Sequence, residues 1–147
     1  ATRFGDRPAG CGGFIDITQN AQHVVLCSTF TTQGLDVDFS GGTVTIRAEG
    51  RQKKLVRQVQ QISFNGELAR RKGQKVFFIT ERAVFELRPE GPVLVEIAPG
   101  IDLKRDVLDQ MEFTPVIAEH LVTTNPNFYN VGRCGLKEMI RSKSMPR

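Results

Sequence analysis

Gly10-Cys11-Gly12-Gly13-Phe14-Ile15-Asp16-Ile17-Thr18-Gln19-Asn20-Ala21, followed two residues later by Val24-Val25-Leu26-Cys27, is the stretch on which the fold turns. Three glycines in four positions mean a tight backbone turn or a close approach of something to the backbone. Phe14, Ile17 and Ala21 recur at helical spacing, and Asp16 sits near the start, where a negative charge favours the helix end. The residues therefore predict a short helix opened by a glycine loop. Val24 to Cys27 is a continuous, partly β-branched apolar run and reads as a buried strand, with Cys27 in the core.

Working outward, Leu35-Asp36-Val37-Asp38-Phe39 and Thr43-Val44-Thr45-Ile46-Arg47 flank Ser40-Gly41-Gly42 and predict a hairpin. Val56 to Phe64 fits strand or helix, with extended structure favoured near its end. Gly66 to Lys72 reads as a short basic helix after the turn at Asn65-Gly66. Val76-Phe77-Phe78-Ile79 reads as a second buried strand. Ala83 to Leu87 and Val93 to Ile97 read as strands joined by the turn Arg88-Pro89-Glu90-Gly91-Pro92. Asp102 is placed to cap a helix carrying Leu103, Val107, Leu108 and Met111 on one side. Ile62, Phe64, Phe77 and Phe78 are candidates for the sheet core.

Composition bounds the function. The chain has 147 residues, is 39% hydrophobic and 24% charged, and so reads as one soluble, ordered domain. No apolar run reaches the length of a membrane span. A net charge of +4, with one Tyr and no Trp, argues against nucleic-acid binding. Cys11, Cys27 and Cys134 are widely spaced, and neither His23 nor His120 sits in a ligand-spaced motif. A disulfide framework and a metal site are therefore not expected, and a cytoplasmic setting is. The clusters Arg51-Gln52-Lys53-Lys54 and Arg70-Arg71-Lys72 read as solvated faces, with phosphate contacts as the sharper alternative.

Four blocks in order carry a resemblance. They are Gly10 to Ala21, then Gly73-Gln74-Lys75-Val76, then Ile79-Thr80-Glu81-Arg82-Ala83-Val84-Phe85, then Glu96-Ile97-Ala98-Pro99-Gly100-Ile101-Asp102. Together they resemble the family I CoA-transferases, of the acetate, propionate or short-chain acyl type. The resemblance covers roughly residues 4–121. It implies an α/β fold, an open sheet flanked by helices, like the C-terminal part of the family's α/β domain. Residues 122–147 then form a divergent basic tail.

The resemblance also implies a reaction in which a glutamate takes coenzyme A from an acyl-CoA and passes it to a short-chain carboxylate. Coenzyme A enters as a substrate, with no other cofactor and no metal. It places Gly12 and Gly13 at the oxyanion hole, and Gly10, Cys11, Glu81 and Arg82 along the substrate or CoA site. Read without it, Gly10 to Gly13 merely close a turn, Cys11 is a small packing residue, and Glu81-Arg82 is a surface or interdomain ion pair.

The family's nucleophile lies in a Glu-x-Gly motif upstream of the glycine loop. Nine residues precede Gly10 and none is Glu. Glu49-Gly50 and Glu90-Gly91 come after the loop, in the wrong segment. The expectation is a chain that does not transfer CoA alone and needs the remaining part of the enzyme or a companion subunit. Homo-oligomerisation, uncovered apolar surface and a tendency to associate are expected with it. A non-catalytic CoA-binding module and a basic interaction domain are the alternatives.

Overall fold

A computed structural model describes residues 3–4, 7–8, 10–59, 62–130 and 134–142. Two short strands, β1 (Arg3–Phe4) and β2 (Arg7–Pro8), pair antiparallel before the glycine loop. The loop opens α1 (Phe14–Asn20), which leads to β3 (His23–Cys27). An excursion comes next, made of β4 (Thr31–Thr32), β5 (Asp36–Asp38), a 3-10 turn at Ser40–Gly42, β6 (Thr45–Ala48) and β7 (Gln52–Lys53). β5 and β6 form the expected antiparallel hairpin, and β4 pairs with β7.

The chain returns through α2 (Gly66–Arg71), whose N-cap Asn65 accepts a hydrogen bond from the Leu68 N–H. It then builds β8 (Lys75–Ile79), β9 (Ala83–Arg88), β10 (Gly91–Ile97) and β11 (Val116–Thr123). A 3-10 turn at Pro126–Tyr129 and α3 (Leu136–Ser142) come last.

β3 and β8 to β11 form a mixed, open five-stranded sheet in the order β11-β10-β9-β8-β3. β3 runs parallel to β8, β8, β9 and β10 form an antiparallel meander, and β11 runs parallel to β10. Period-two alternation sends neighbouring residues to opposite faces. One face is covered. Phe85, Leu94 and Ala83 pack there with Phe30, Val44, Ile101, Val107 and Met111 from the excursion and the segment after β10. At the β3 end of that face, Val24 and Val76 pack on Ala69 of α2, with Phe78 touching both clusters.

Several expectations are corrected. Val24 is buried, but Val25 is 52% exposed and Cys27 is exposed, so β3 is an edge strand rather than a buried one. Only Val76 of the β8 run is fully buried, and Ile62, in coil, is 76% exposed. In α1 the buried residue is Thr18, whose hydroxyl donates back to the Phe14 carbonyl, while Ile17 faces solvent. Asp102 does cap, accepting from the Arg105 N–H at 2.7 Å. It opens one π turn at Leu103–Val107 and one 3-10 turn at Leu108–Gln110 rather than a regular helix.

Candidate functional site at the carboxyl end of the parallel pair

Open α/β sheets present ligands at the carboxyl ends of their parallel strands. Here that end lies beyond Cys27 of β3 and Ile79 of β8, which are register partners. Two residues, Ala21 and Gln22, join α1 to β3. Gln74 fixes that connection, donating through Nε2 to the carbonyls of Thr18 and Ala21.

Gly10, Cys11, Gly12 and Gly13 are all exposed. Gly12 has φ +52°, a left-handed conformation that glycine adopts without strain. A Cβ added at Gly10 or Gly12 would meet nothing within 4 Å, and one at Gly13 would touch Ile17 at 3.5 Å. Gly13 is the N-cap of α1, and the Phe14 N–H turns back to the Cys11 carbonyl at 3.1 Å. The loop is thus an open backbone surface at a helix start. Cys11 is not packed.

Glu81 and Arg82 come just after the carboxyl end of β8 and belong to a different environment. The Arg82 side chain is fully buried. Its Nη1 donates to Glu49 Oε2 at 2.7 Å and to the Asp106 carbonyl at 3.0 Å. Its Nη2 donates to Glu49 Oε1 at 3.2 Å, and its Nε to Glu81 Oε1 at 2.7 Å. The guanidinium lies 5.0 Å from the centroid of the Phe30 ring. Glu81 Oε2 accepts from the Phe30 N–H at 2.9 Å, and Glu49 Oε1 from the Thr31 hydroxyl. One buried cation thereby ties the ends of β3 and β8 to the end of β6.

That geometry sets the electrostatics. Burial on its own would raise the Glu49 carboxyl, but the hydrogen bonds from Arg82 and Thr31, with the charge of Arg82, outweigh it and hold it below its ordinary value. Burial likewise works against the Arg82 charge, and Glu49 and Glu81 reverse the effect. Asp106 is held low mainly by its hydrogen bonds with Arg105. Gly50 is fixed by close approach, since a Cβ there would stand 2.5 Å from the Thr32 carbonyl oxygen.

The structure places Gly10 to Gly13 in one exposed loop before α1, and Glu81 with Arg82 in a buried cluster just after β8. Among the described residues no hydrogen bond joins the two sets. The sequence did not reveal Glu49, Phe30 and Thr31 as Arg82's surroundings. No local pattern marks a pair separated by 33 positions. The basic clusters are largely engaged within the chain. Arg71 pairs with Glu67, Arg70 donates to the Pro89 carbonyl, Lys72 to the Gln19 carbonyl, and Lys53 and Lys54 to Asp109 and Thr29. A polar cleft of about 570 Å³ lies at the opposite end of the parallel pair, between Gln19–His23 and Lys72–Lys75. Among the described residues no group of three His, Cys, Asp or Glu could hold a metal ion, and no helix is long and apolar enough to cross a membrane.

The class of fold is a mixed, open α/β sheet with an exposed glycine loop at a helix start. No family model matches the chain. Over 118 residues it is 48% identical to the caffeate CoA-transferase of Acetobacterium woodii, covering 80% of this chain and 22% of that protein. Over 119 residues it is 44% identical to the acetate CoA-transferase YdiF of Escherichia coli K12, covering 81% and 22%. The crystal structure of the E. coli O157:H7 acyl-CoA transferase YdiF as a thioester complex with CoA superposes with a TM-score of 0.86 at 41% identity, over 90% of this chain and 26% of that one. Its apoenzyme superposes at 0.87. The chain matches a C-terminal portion of a CoA-transferase, and it spans about a fifth of the length of the curated relatives it matches.

Proposed function

We propose that this chain is the part of an acyl-CoA:carboxylate CoA-transferase that supplies the backbone cradle of the active site, while the nucleophilic glutamate comes from another part of the enzyme. The observation that carries the reading is an open, exposed glycine loop in a chain whose candidate carboxylates, Glu49, Glu81 and Glu90, lie in other segments. Glu49 and Glu81 are committed to Arg82. Glu90 stands in the β9–β10 turn, at the amino end of β10.

In the proposed reaction a glutamate carboxylate attacks the acyl-CoA carbonyl, the thioester C–S bond breaks, and the CoA thiolate leaves an acyl-glutamyl anhydride. The thiolate then attacks the glutamyl carbonyl and releases the acyl group as its carboxylate, leaving a glutamyl-CoA thioester. A second short-chain carboxylate reverses both steps and leaves as the new acyl-CoA. Each addition places negative charge on a carbonyl oxygen. Gly12 and Gly13 offer backbone N–H groups where such charge could develop, and the open space over Gly10 and Gly12 leaves room for the acyl-CoA. Cys11 lines that space. Glu81 and Arg82 act by fixing the floor of the site, not by touching CoA. The working assembly is soluble, cytoplasmic and oligomeric, with coenzyme A as substrate and no further cofactor.

The test is a chimera in which this chain replaces the matching segment of the E. coli acetate CoA-transferase. The chimera should transfer CoA from acetyl-CoA to propionate, and the chain alone should not. Gly12→Val in the chimera puts a β-branched side chain at φ +52° and into the open space over the loop, and the displaced amide should lower kcat by about 100-fold. An inactive but folded chimera, or full activity of the Gly12→Val variant, defeats the proposal.

A further inference from the structure

We propose that the polar cleft between Gln19–His23 and Lys72–Lys75 is a binding site for a free nucleotide, held through its phosphate groups by Lys75, His23 and Lys72. The site is independent of the transferase reading.

Topology brings the cationic side chains together. His23 opens β3 and Lys75 opens β8, and the two are register partners in a parallel pair. Their side chains therefore leave the same face of the sheet, on strands about 5 Å apart. Lys72, the C-cap of α2, lines the same cleft.

The acceptors at this place are spent and the donors are not. α1 and α2 both end here, and free carbonyls at a helix end disfavour an anion. These carbonyls are occupied. That of Ile17 accepts from the Ala21 N–H, those of Thr18 and Ala21 from Gln74 Nε2, and that of Gln22 from the Lys75 N–H. In α2 the Leu68, Ala69 and Arg70 carbonyls accept from the N–H groups of Lys72, Gln74 and Gly73. Lys72 spends one of its three ammonium donors on the Gln19 carbonyl, at 3.3 Å. Among the described residues, the side chains of His23 and Lys75 have no hydrogen-bond or ion-pair partner, and no residue lining the cleft is acidic. What remains is positive charge with nothing to neutralise it, the environment a phosphate needs.

Size selects the ligand. The volume of about 570 Å³ lies within the range of small-molecule sites, roughly 300–1,000 Å³, and exceeds what a phosphate alone fills. Gln19 and Gln22 add side-chain amides without partners among the described residues, each both donor and acceptor, which suit a sugar hydroxyl or a base edge. Gly73 closes α2 at φ +69°, and a Cβ there would meet nothing within 4 Å, so the cleft is open at this point.

Amide NMR of the 147-residue chain, titrated with ADP, tests the assignment without reference to activity. The Gln19–His23 and Lys72–Lys75 amides should shift and saturate as one site. Lys75→Gln should weaken ADP at least about 10-fold, the scale of a lost charge-assisted hydrogen bond, and should keep the melting temperature, because that side chain holds nothing in the fold. His23→Gln should weaken it as well, and Lys75→Arg, which keeps the charge, should bind nearly as the parent does. Lys137→Gln on α3 removes the same charge elsewhere and should leave the affinity unchanged. Absence of saturable shifts at these amides overturns the site. Equal weakening by Lys75→Gln and Lys137→Gln does so too, because the attraction is then diffuse. Inorganic phosphate binding as tightly as ADP defeats the nucleotide assignment. Tighter binding of CoA than of ADP at the same amides defeats the free ligand and makes the cleft an outlying contact for CoA.

Discussion

Val24 and Val25 are the same residue type, one position apart, on opposite faces of one strand. Val24 is buried against α2, and Val25 is half in solvent. The same contrast runs along β8, where Val76 is fully buried and Ile79 is 37% exposed. The covered face owes its burial to the excursion and to the segment after β10, which this chain itself supplies. The barer face mixes apolar side chains with Glu86 and is covered unevenly, with Val93 fully buried at β10 and Val25 half exposed at β3. Strand formation is local, but burial depends on what else is in the polypeptide.

That difference can be broken most severely from the covered side. Arg82→Ala should cost about 3–5 kcal/mol in urea unfolding, because it leaves Glu49 and Glu81 facing each other without their cation. If the loss is under about 1 kcal/mol, the cluster does not hold the strand ends together. Leu94→Ala should cost about 2–5 kcal/mol through a cavity under the sheet. Acid should act more gently. The Glu49 and Asp106 carboxyls lie below their ordinary values in the folded chain, so their contribution is complete above the ordinary carboxylate range and fades as pH falls through the folded values. Stability should be level from neutrality to about pH 5 and decline below about pH 4, and Glu49→Gln should flatten that decline. Smallest of all, Ile79→Thr on the barer face should change the stability of the isolated chain by less than about 0.5 kcal/mol. A large loss there would mean that the barer face is covered at Ile79 after all.

The elements were largely legible from the sequence, and their environments much less so. Gly12 and Gly13 before Phe14 marked the loop and α1, and Asn65-Gly66 marked α2, because turn and cap chemistry is local. The hairpin around Ser40-Gly41-Gly42 was legible for the same reason. Cys27 and Ile62 were misjudged as core, since an apolar run reads alike whether or not a neighbouring strand exists to cover it. The segment after Asp102 kept its cap and its apolar spacing, but π and 3-10 turns replaced the regular helix, a tertiary adjustment invisible to periodicity. The pairing of Arg82 with Glu49 was illegible because it joins the ends of β6 and β8, 33 residues apart, and Glu49 drew notice only as a tempting Glu-Gly pair.

The central claim is that the carboxylate which carries CoA lies outside these 147 residues. Intact-mass and peptide mass spectrometry after exposure to acetyl-CoA tests it directly, on the chain alone and on the chimera. The expected result is a glutamyl-CoA adduct in the chimera, on a glutamate from the E. coli portion, and none on the isolated chain. A CoA adduct on Glu49, Glu81 or Glu90 would contradict the claim and make this chain a transferase in its own right.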